Sequence, residues 1–173
     1  MAASVAATLV AKPVEATKLA RILAKHTVET PEAMHELGLS LGAGFKPGDL
    51  VLLTGPLGAG KTTLTRGIGE ALGAIGNVSS PTFVIARTHK LAGQEHVLVH
   101  VDAYRLGSAA ELDDLDIDFE NSITIVEWGK GYTDGITDRW IEIEIERDHT
   151  GASEVREVVV TEHDAAEAGA SNV

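Results

Sequence analysis

Gly55-Pro56-Leu57-Gly58-Ala59-Gly60-Lys61-Thr62, followed by Thr63, fits the pattern G-x-x-x-x-G-K-[ST] at every fixed position. Ahead of it, Asp49-Leu50-Val51-Leu52-Leu53-Thr54 is a short apolar run that reads as a fully buried strand. Behind it, the run from Thr63 to Gly73 reads as a helix. Strand, glycine loop and helix are the context in which this pattern cradles phosphate, and they point to an α/β fold. Glycines allow backbone conformations that other residues resist, so N–H groups from Gly55 to Thr63 can turn inward on a phosphate chain at the positive end of the helix. Gly55, Gly58, Ala59, Gly60, Lys61, Thr62 and Thr63 are therefore the expected nucleotide-binding set. Lys61 would reach the outer phosphates as a point charge, and the Thr62 hydroxyl would ligate Mg²⁺.

Upstream of the loop, Lys46-Pro47-Gly48-Asp49 turns the chain into the strand. Thr30-Pro31-Glu32 reads as a helix start, with Thr30 as cap and Pro31 at the first helical position. Met34, Leu37, Leu39 and Leu41 give that helix an apolar face, and Gly42-Ala43-Gly44 ends it. The alanine-rich start has no Lys or Arg ahead of its apolar stretch, which disfavours a secretory signal. Lys12, Lys18, Arg21 and Lys25 against Glu15 leave an organellar transit segment as an alternative. The preferred reading is a variable, flexible extension over 1–26, one domain over 27–163 and a disordered tail over 164–173.

Downstream, Val78-Ser79-Ser80-Pro81-Thr82 reads as a loop that passes into a strand over Phe83 to Arg87. His96 to Asp102 is a second strand, and the turn signal Leu91-Ala92-Gly93-Gln94 predicts an antiparallel pair. Ser108 to Leu112 starts a short helix. In Asp113 to Glu120 the apolar residues Leu115, Ile117 and Phe119 alternate with acids; a solvated acidic face is favoured over a metal site, because the calcium-loop pattern is absent. Ser122 to Trp128 is another apolar strand, and Trp140 to Glu146 with Glu154 to Val160 read as a terminal antiparallel hairpin.

Composition narrows the class further. The chain has 173 residues, enough for one well-buried domain and too few for two. It has no cysteine, which excludes disulfides and thiolate metal sites, and no apolar run long enough for a membrane span, so a cytoplasmic protein is expected. Net charge is −12, unevenly placed: residues 1–90 hold 9 Lys and Arg against 6 Asp and Glu, and residues 91–173 hold 5 against 20. That acidic half disfavours direct, extensive nucleic-acid binding, and it reads either as plain solubility or as a docking face for a basic partner.

Two further apolar strands end on carboxylates, Asp102 and Glu127. Ligands in open α/β sheets sit beyond the carboxyl ends of the strands, so Thr62, Asp102 and Glu127 form the expected Mg²⁺ set. One carboxylate would hold the metal directly or through water, and the other would orient or deprotonate a water. Lys61, Asp102 and Glu127 are the expected catalytic residues. His96, His100 and Asp102 share parity on one strand, yet satisfied or exposed histidines are favoured over a transition-metal site there. The guanine-reading Asn-Lys-x-Asp signature is absent, so adenine is favoured; Thr30 to Glu32 is the segment guessed for its contact.

Four segments, Gly55 to Thr63, Ser80-Pro81-Thr82-Phe83, Asp102-Ala103-Tyr104-Arg105-Leu106 and Val126-Glu127-Trp128, together resemble the bacterial TsaE (YjeE) family over about Thr27 to Val160. The resemblance implies a three-layer α/β P-loop NTPase fold with a mixed, parallel plus antiparallel, central sheet. It implies ATP and Mg²⁺ as cofactors, with Lys61 on the β/γ phosphates, Thr62, Asp102 and Glu127 around the metal, and Ser80, Pro81 and Thr82 in a switch-like loop near the γ-phosphate. It also implies an accessory ATPase for threonylcarbamoyl modification of adenosine 37 in tRNAs reading ANN codons. Such a protein docks on TsaD-like and TsaB-like partners and resets them by hydrolysis, meeting tRNA only indirectly. Pro56 and Gly129 depart from the family pattern: Pro56 is expected to be tolerated, and Gly129 is expected to loosen the segment after Trp128. A P-loop small-molecule kinase and a nucleotide-dependent binding module are the alternatives, and Arg87 and Arg105 are candidates for an internal charge-stabilising arginine.

Overall fold

The structure, a computed structural model, describes residues 19–81, 83–132, 136–148, 150 and 153–164. Its strands are β1 (Leu19–Val28), β2 (Leu50–Thr54), β3 (Ala86–Lys90), β4 (Val97–Asp102), β5 (Ser122–Glu127), β6 (Arg139–Arg147) and β7 (Arg156–Asp164). Its α-helices are α1 (Pro31–Gly42), α2 (Lys61–Ala71) and α3 (Ala109–Asp113). The strands form one sheet in the order β1-β7-β6-β2-β5-β4-β3. The central four, β6, β2, β5 and β4, run parallel, and antiparallel partners flank them at both ends. The fold is thus α/β with a mixed sheet.

The composition of the middle strands explains their place. Every residue of β2 and β5 is buried, as expected for strands covered on both faces. Alternate residues serve two cores: Val51, Leu53, Ile123 and Ile125 pack with Leu64 and Ile68 of α2 and Met34 and Leu37 of α1. Leu50, Leu52, Val99, Val101 and Val126 pack against Leu106, Leu112 and Trp140 on the other face. That second layer is thin, built from α3, a 3-10 turn over Ala103–Arg105 and partly buried Leu115, Ile117 and Phe119. The alternation of acids with those three residues is therefore an irregular segment laid on the sheet. No group of three or more His, Asp or Glu capable of holding a metal occurs among the described residues.

α1 begins as its sequence predicts, with the Thr30 hydroxyl accepting from the Ala33 N–H at 3.1 Å and Pro31 in the first turn. It crosses α2 very closely: a Cβ on Gly67 would lie 2.2 Å from the His35 carbonyl oxygen, and one on Gly38 would lie 2.4 Å from that of Leu64. The glycines let the two backbones touch and so seat the helix that follows the glycine loop.

Three expectations are corrected. The strand expected over Phe83 to Arg87 begins only at Ala86, because Val84 and Ile85 donate back to the Pro81 carbonyl in a turn. The segment assigned to a flexible extension contains a strand from Leu19, paired antiparallel with β7 with one register shift between Ile22 and Ala24. Much of β1 is solvent-exposed, so its sequence carries no clear burial period; backbone pairing and the Arg21–Glu162 ion pair hold it. Asp164, placed in the disordered tail, is the last residue of β7. The rest of the extension and of the tail lie outside the described residues.

Candidate functional site

β2 ends at Thr54, and the chain then needs to turn sharply into α2. Gly55 has φ 141°, Gly58 φ 75° and Gly60 φ 110°, conformations that favour glycine. At Gly55 there is also no room: a Cβ would sit 2.4 Å from the Ile145 carbonyl oxygen. Gly60 occupies the cap position of α2 with no side-chain hydrogen bond, and no acid stands in the first turn. The N–H groups and the positive end of the helix dipole are left for an anion. Pro56 is accommodated because the loop uses its carbonyl, which accepts from Lys61 Nζ at 2.9 Å and from the Ala59 N–H at 3.1 Å.

Lys61 is nearly buried. Its Nζ also donates to the Gly55 carbonyl at 2.8 Å and lies 3.6 Å from the centre of the Trp128 ring. Burial holds the ammonium below its ordinary range, while the Glu127 and Asp102 carboxylates oppose that shift. Both carboxylates face this helix end. β4 and β5 are adjacent and parallel, Asp102 and Glu127 are register partners, and each is at the last position of its strand. Asp102 is 6% exposed and Glu127 3%. The Thr62 hydroxyl donates to Glu127 at 2.9 Å to Oε1 and 3.2 Å to Oε2. Asp102 Oδ1 accepts from the Tyr104 N–H at 3.0 Å.

These groups line a cavity of about 570 Å³ with Leu57, Gly58, Gly60, Thr63, Ser80, Tyr104 and Trp128. Expected site residues Lys61, Thr62, Thr63, Ser80, Asp102 and Glu127 thus meet in one place, and Gly55 and Ala59 support the loop behind them. Ala59 with Thr30, Pro31, Met34 and Thr63 lines a second cavity of about 120 Å³. Thr82 lies outside the described residues. Arg87 is directed to Ser79 at 3.4 Å, and neither it nor Arg105 lines the larger cavity.

The sequence reading did not assign Trp128 a role. Its φ is 63°, strained for a bulky residue and placed directly after Glu127. This turn lays the indole over Lys61 and edge-on to Tyr104 at 5.2 Å. Gly129 itself is tightly packed: it is buried, and a Cβ there would lie 2.9 Å from Leu52 Cδ2 and Val126 Cγ1. His100, expected to be a satisfied or exposed histidine rather than a metal ligand, is a fully buried ring whose Nε2 lies 2.9 Å from Glu127 Oε1. Its shared parity with Asp102 was the available signal, and it marks one face of β4 turned toward α2.

The mixed sheet and its strand–glycine loop–helix unit define a P-loop NTPase fold. The chain belongs to the TsaE family, whose model, "Threonylcarbamoyl adenosine biosynthesis protein TsaE", matches residues 28–158. Over 132 residues it is 52% identical to the tRNA threonylcarbamoyladenosine biosynthesis protein TsaE of Streptomyces coelicolor, covering 74% of this chain and 89% of that one. The protein of the same name from Mycobacterium tuberculosis is 45% identical over 120 residues, 64% of this chain and 71% of that one. That from Bacillus subtilis is 34% identical over 132 residues, 76% and 80%. The crystal structure of Bacillus subtilis YdiB superposes with a TM-score of 0.65 at 31% identity, covering 83% of this chain and 86% of that one. A role in tRNA threonylcarbamoyladenosine biosynthesis follows from this membership. No helix among the described residues is long and apolar enough to cross a membrane.

Proposed function

We propose that this chain binds Mg·ATP at the glycine loop and hydrolyses it to drive turnover of a threonylcarbamoyl-transferring complex. The observation that carries the reading is the convergence of Asp102, Glu127 and the Thr62 hydroxyl at the N-terminus of α2. Oxygen donors alone, with room left for water and phosphate oxygens, suit Mg²⁺, which is rarely held by an all-protein cage. Thr62 and Asp102 would hold the ion, and Glu127 would complete its shell or act on water. Bound Mg²⁺ supplies neutralisation of charge on the phosphoryl oxygens.

The chain's own groups account for the rest. The loop N–H groups and Lys61 bind and orient the phosphates, which supplies much of the catalysis of phosphoryl transfer. Glu127 orients a water and takes its proton as the water oxygen bonds to the γ-phosphorus; the bond from that phosphorus to the β–γ bridging oxygen breaks, leaving ADP and phosphate. Ser80, which lines the cavity, would stand beside the γ-phosphate at the head of a switch-like loop. Further along the same stretch, Ile85 is tied to Asp102, whose N–H donates to the Ile85 carbonyl at 2.8 Å. The smaller cavity at Thr30, Pro31 and Met34 would receive the adenine.

The partners on this reading are TsaD-like and TsaB-like proteins, reset by hydrolysis, with tRNA met only through them. The acidic C-terminal half fits a surface that docks beside a tRNA-handling enzyme without gripping RNA. The test is reconstitution: tRNA reading ANN codons, the partner pair and the threonylcarbamoyl donor, with and without this chain and ATP. Modification of adenosine 37 that continues past one turnover only with the parent chain supports the proposal; equal modification with Lys61→Ala contradicts it.

A further inference from the structure

We propose that His100 is the positioning residue for Glu127, fixing the carboxylate that acts on water; this rests on the hydrolytic reading above. His100 is 0% exposed and sits on β4, with β3 and β5 paired on either side. Its Nε2 lies 2.9 Å from Glu127 Oε1, and its Nδ1 has no hydrogen-bond partner among the described residues. An ionised carboxylate only accepts, so Nε2 carries the proton.

Two features separate this from packing. The other residues of β4 before Asp102 are Val97, Leu98, Val99 and Val101, and an apolar side chain at 100 would fill the same space without burying an unpartnered nitrogen. The imidazole is also held by the sheet, whereas the other donor to Glu127, Thr62, belongs to the helix and to the proposed metal site. With Oε1 held by the ring, rotation of the carboxylate is blocked and Oε2 keeps one direction. Outer partners of this kind govern orientation, and their loss costs about 10–100-fold in activity or metal affinity.

His100→Phe keeps a ring and removes the donor, whereas His100→Gln restores an N–H near the Nε2 position. For His100→Phe we expect kcat for Mg·ATP to fall about 10-fold or more, with the ATP dissociation constant changed less than about 2-fold. His100→Gln should recover kcat to within about 3-fold of the parent. In a Glu127→Ala background, His100→Phe should have no further effect. Long-range ¹H–¹⁵N NMR of the parent chain should show the proton on His100 Nε2, a readout independent of turnover and of any variant's folding. An Nδ1–H tautomer, parent-like kcat in His100→Phe, or equal impairment of the Gln and Phe variants would overturn the proposal. If Glu127→Ala abolishes turnover while His100→Phe turns over at the parent rate, positioning fails and the hydrolytic reading stands. An inert parent chain overturns the hydrolytic reading, and the tautomer then decides the His100–Glu127 bond by itself.

Discussion

The Lys61 ammonium lies 3.6 Å from the centre of the Trp128 indole while donating to the carbonyls of Gly55 and Pro56. A lysine that moves to the outer phosphates on nucleotide binding must leave that ring, so the indole's surroundings change with occupancy. Adding Mg·ATP should therefore shift tryptophan fluorescence, and Trp128→Phe should abolish the shift. The other tryptophan, Trp140, is buried against His163 with ring centres 4.8 Å apart and should not respond. A full response in Trp128→Phe would contradict the account.

The same lysine sets a pH dependence. Burial lowers its pKa from the ordinary 10.5, so on raising pH the folded chain releases this proton before the unfolded chain does. Just below pH 10.5 the unfolded chain binds more protons, and stability rises with pH in that window. Unfolding free energies of the parent and Lys61→Met, measured from neutral to alkaline pH, should give a difference that climbs in the parent's favour. A flat or falling difference would contradict the sign.

Gly67→Ala tests the seat of the glycine-loop helix. The added methyl would lie 2.2 Å from the His35 carbonyl oxygen and 3.0 Å from Gly38 Cα, both backbone atoms that cannot swing aside. The expected cost is about 1–3 kcal/mol or more, read as a lower denaturation midpoint, with weakened ATP binding because α2 carries Lys61 and Thr62. Unchanged stability would mean that the two helices can part freely.

Glu162 joins three strands, accepting from Arg21 on β1 and from Arg139 on β6 at 3.0 Å to Nε and 2.6 Å to Nη2. The hydrogen bonds from Arg21 and then Arg139 lower its pKa from 4.5. Its contribution is therefore present above pH 4.5 and is lost as pH falls through the folded value. Because the arginines are solvent-exposed, Glu162→Gln should cost no more than about 1 kcal/mol at neutral pH, shrinking in acid and in high salt. Proteolysis within β1 should quicken in the variant at neutral pH.

What the sequence revealed divides along physical lines. The strand, glycine loop and α2 were legible because burial and positive φ are local demands written in consecutive residues. Asp102 and Glu127 were legible because parallel strands end along one sheet edge, so two strand-final acids near a phosphate loop have one place to be. β1 was not, since an exposed strand held by pairing with β7 shows no apolar period. The place of Trp128 and the contact of His100 with Glu127 were hidden for another reason: a left-handed turn at residue 128 and a diagonal contact across two strands depend on tertiary register. The packing that requires Gly129 came from Leu52 and Val126, on β2 and β5, and only the assembled sheet shows it.

The most direct measurement is phosphate release from Mg·ATP by the purified chain, alone and with the partner pair, beside Glu127→Ala under equal ATP occupancy. The account predicts release that rises with the partners and falls by about 100-fold or more in the variant, while ATP binding survives within a few-fold. Parent-rate hydrolysis by Glu127→Ala would contradict it.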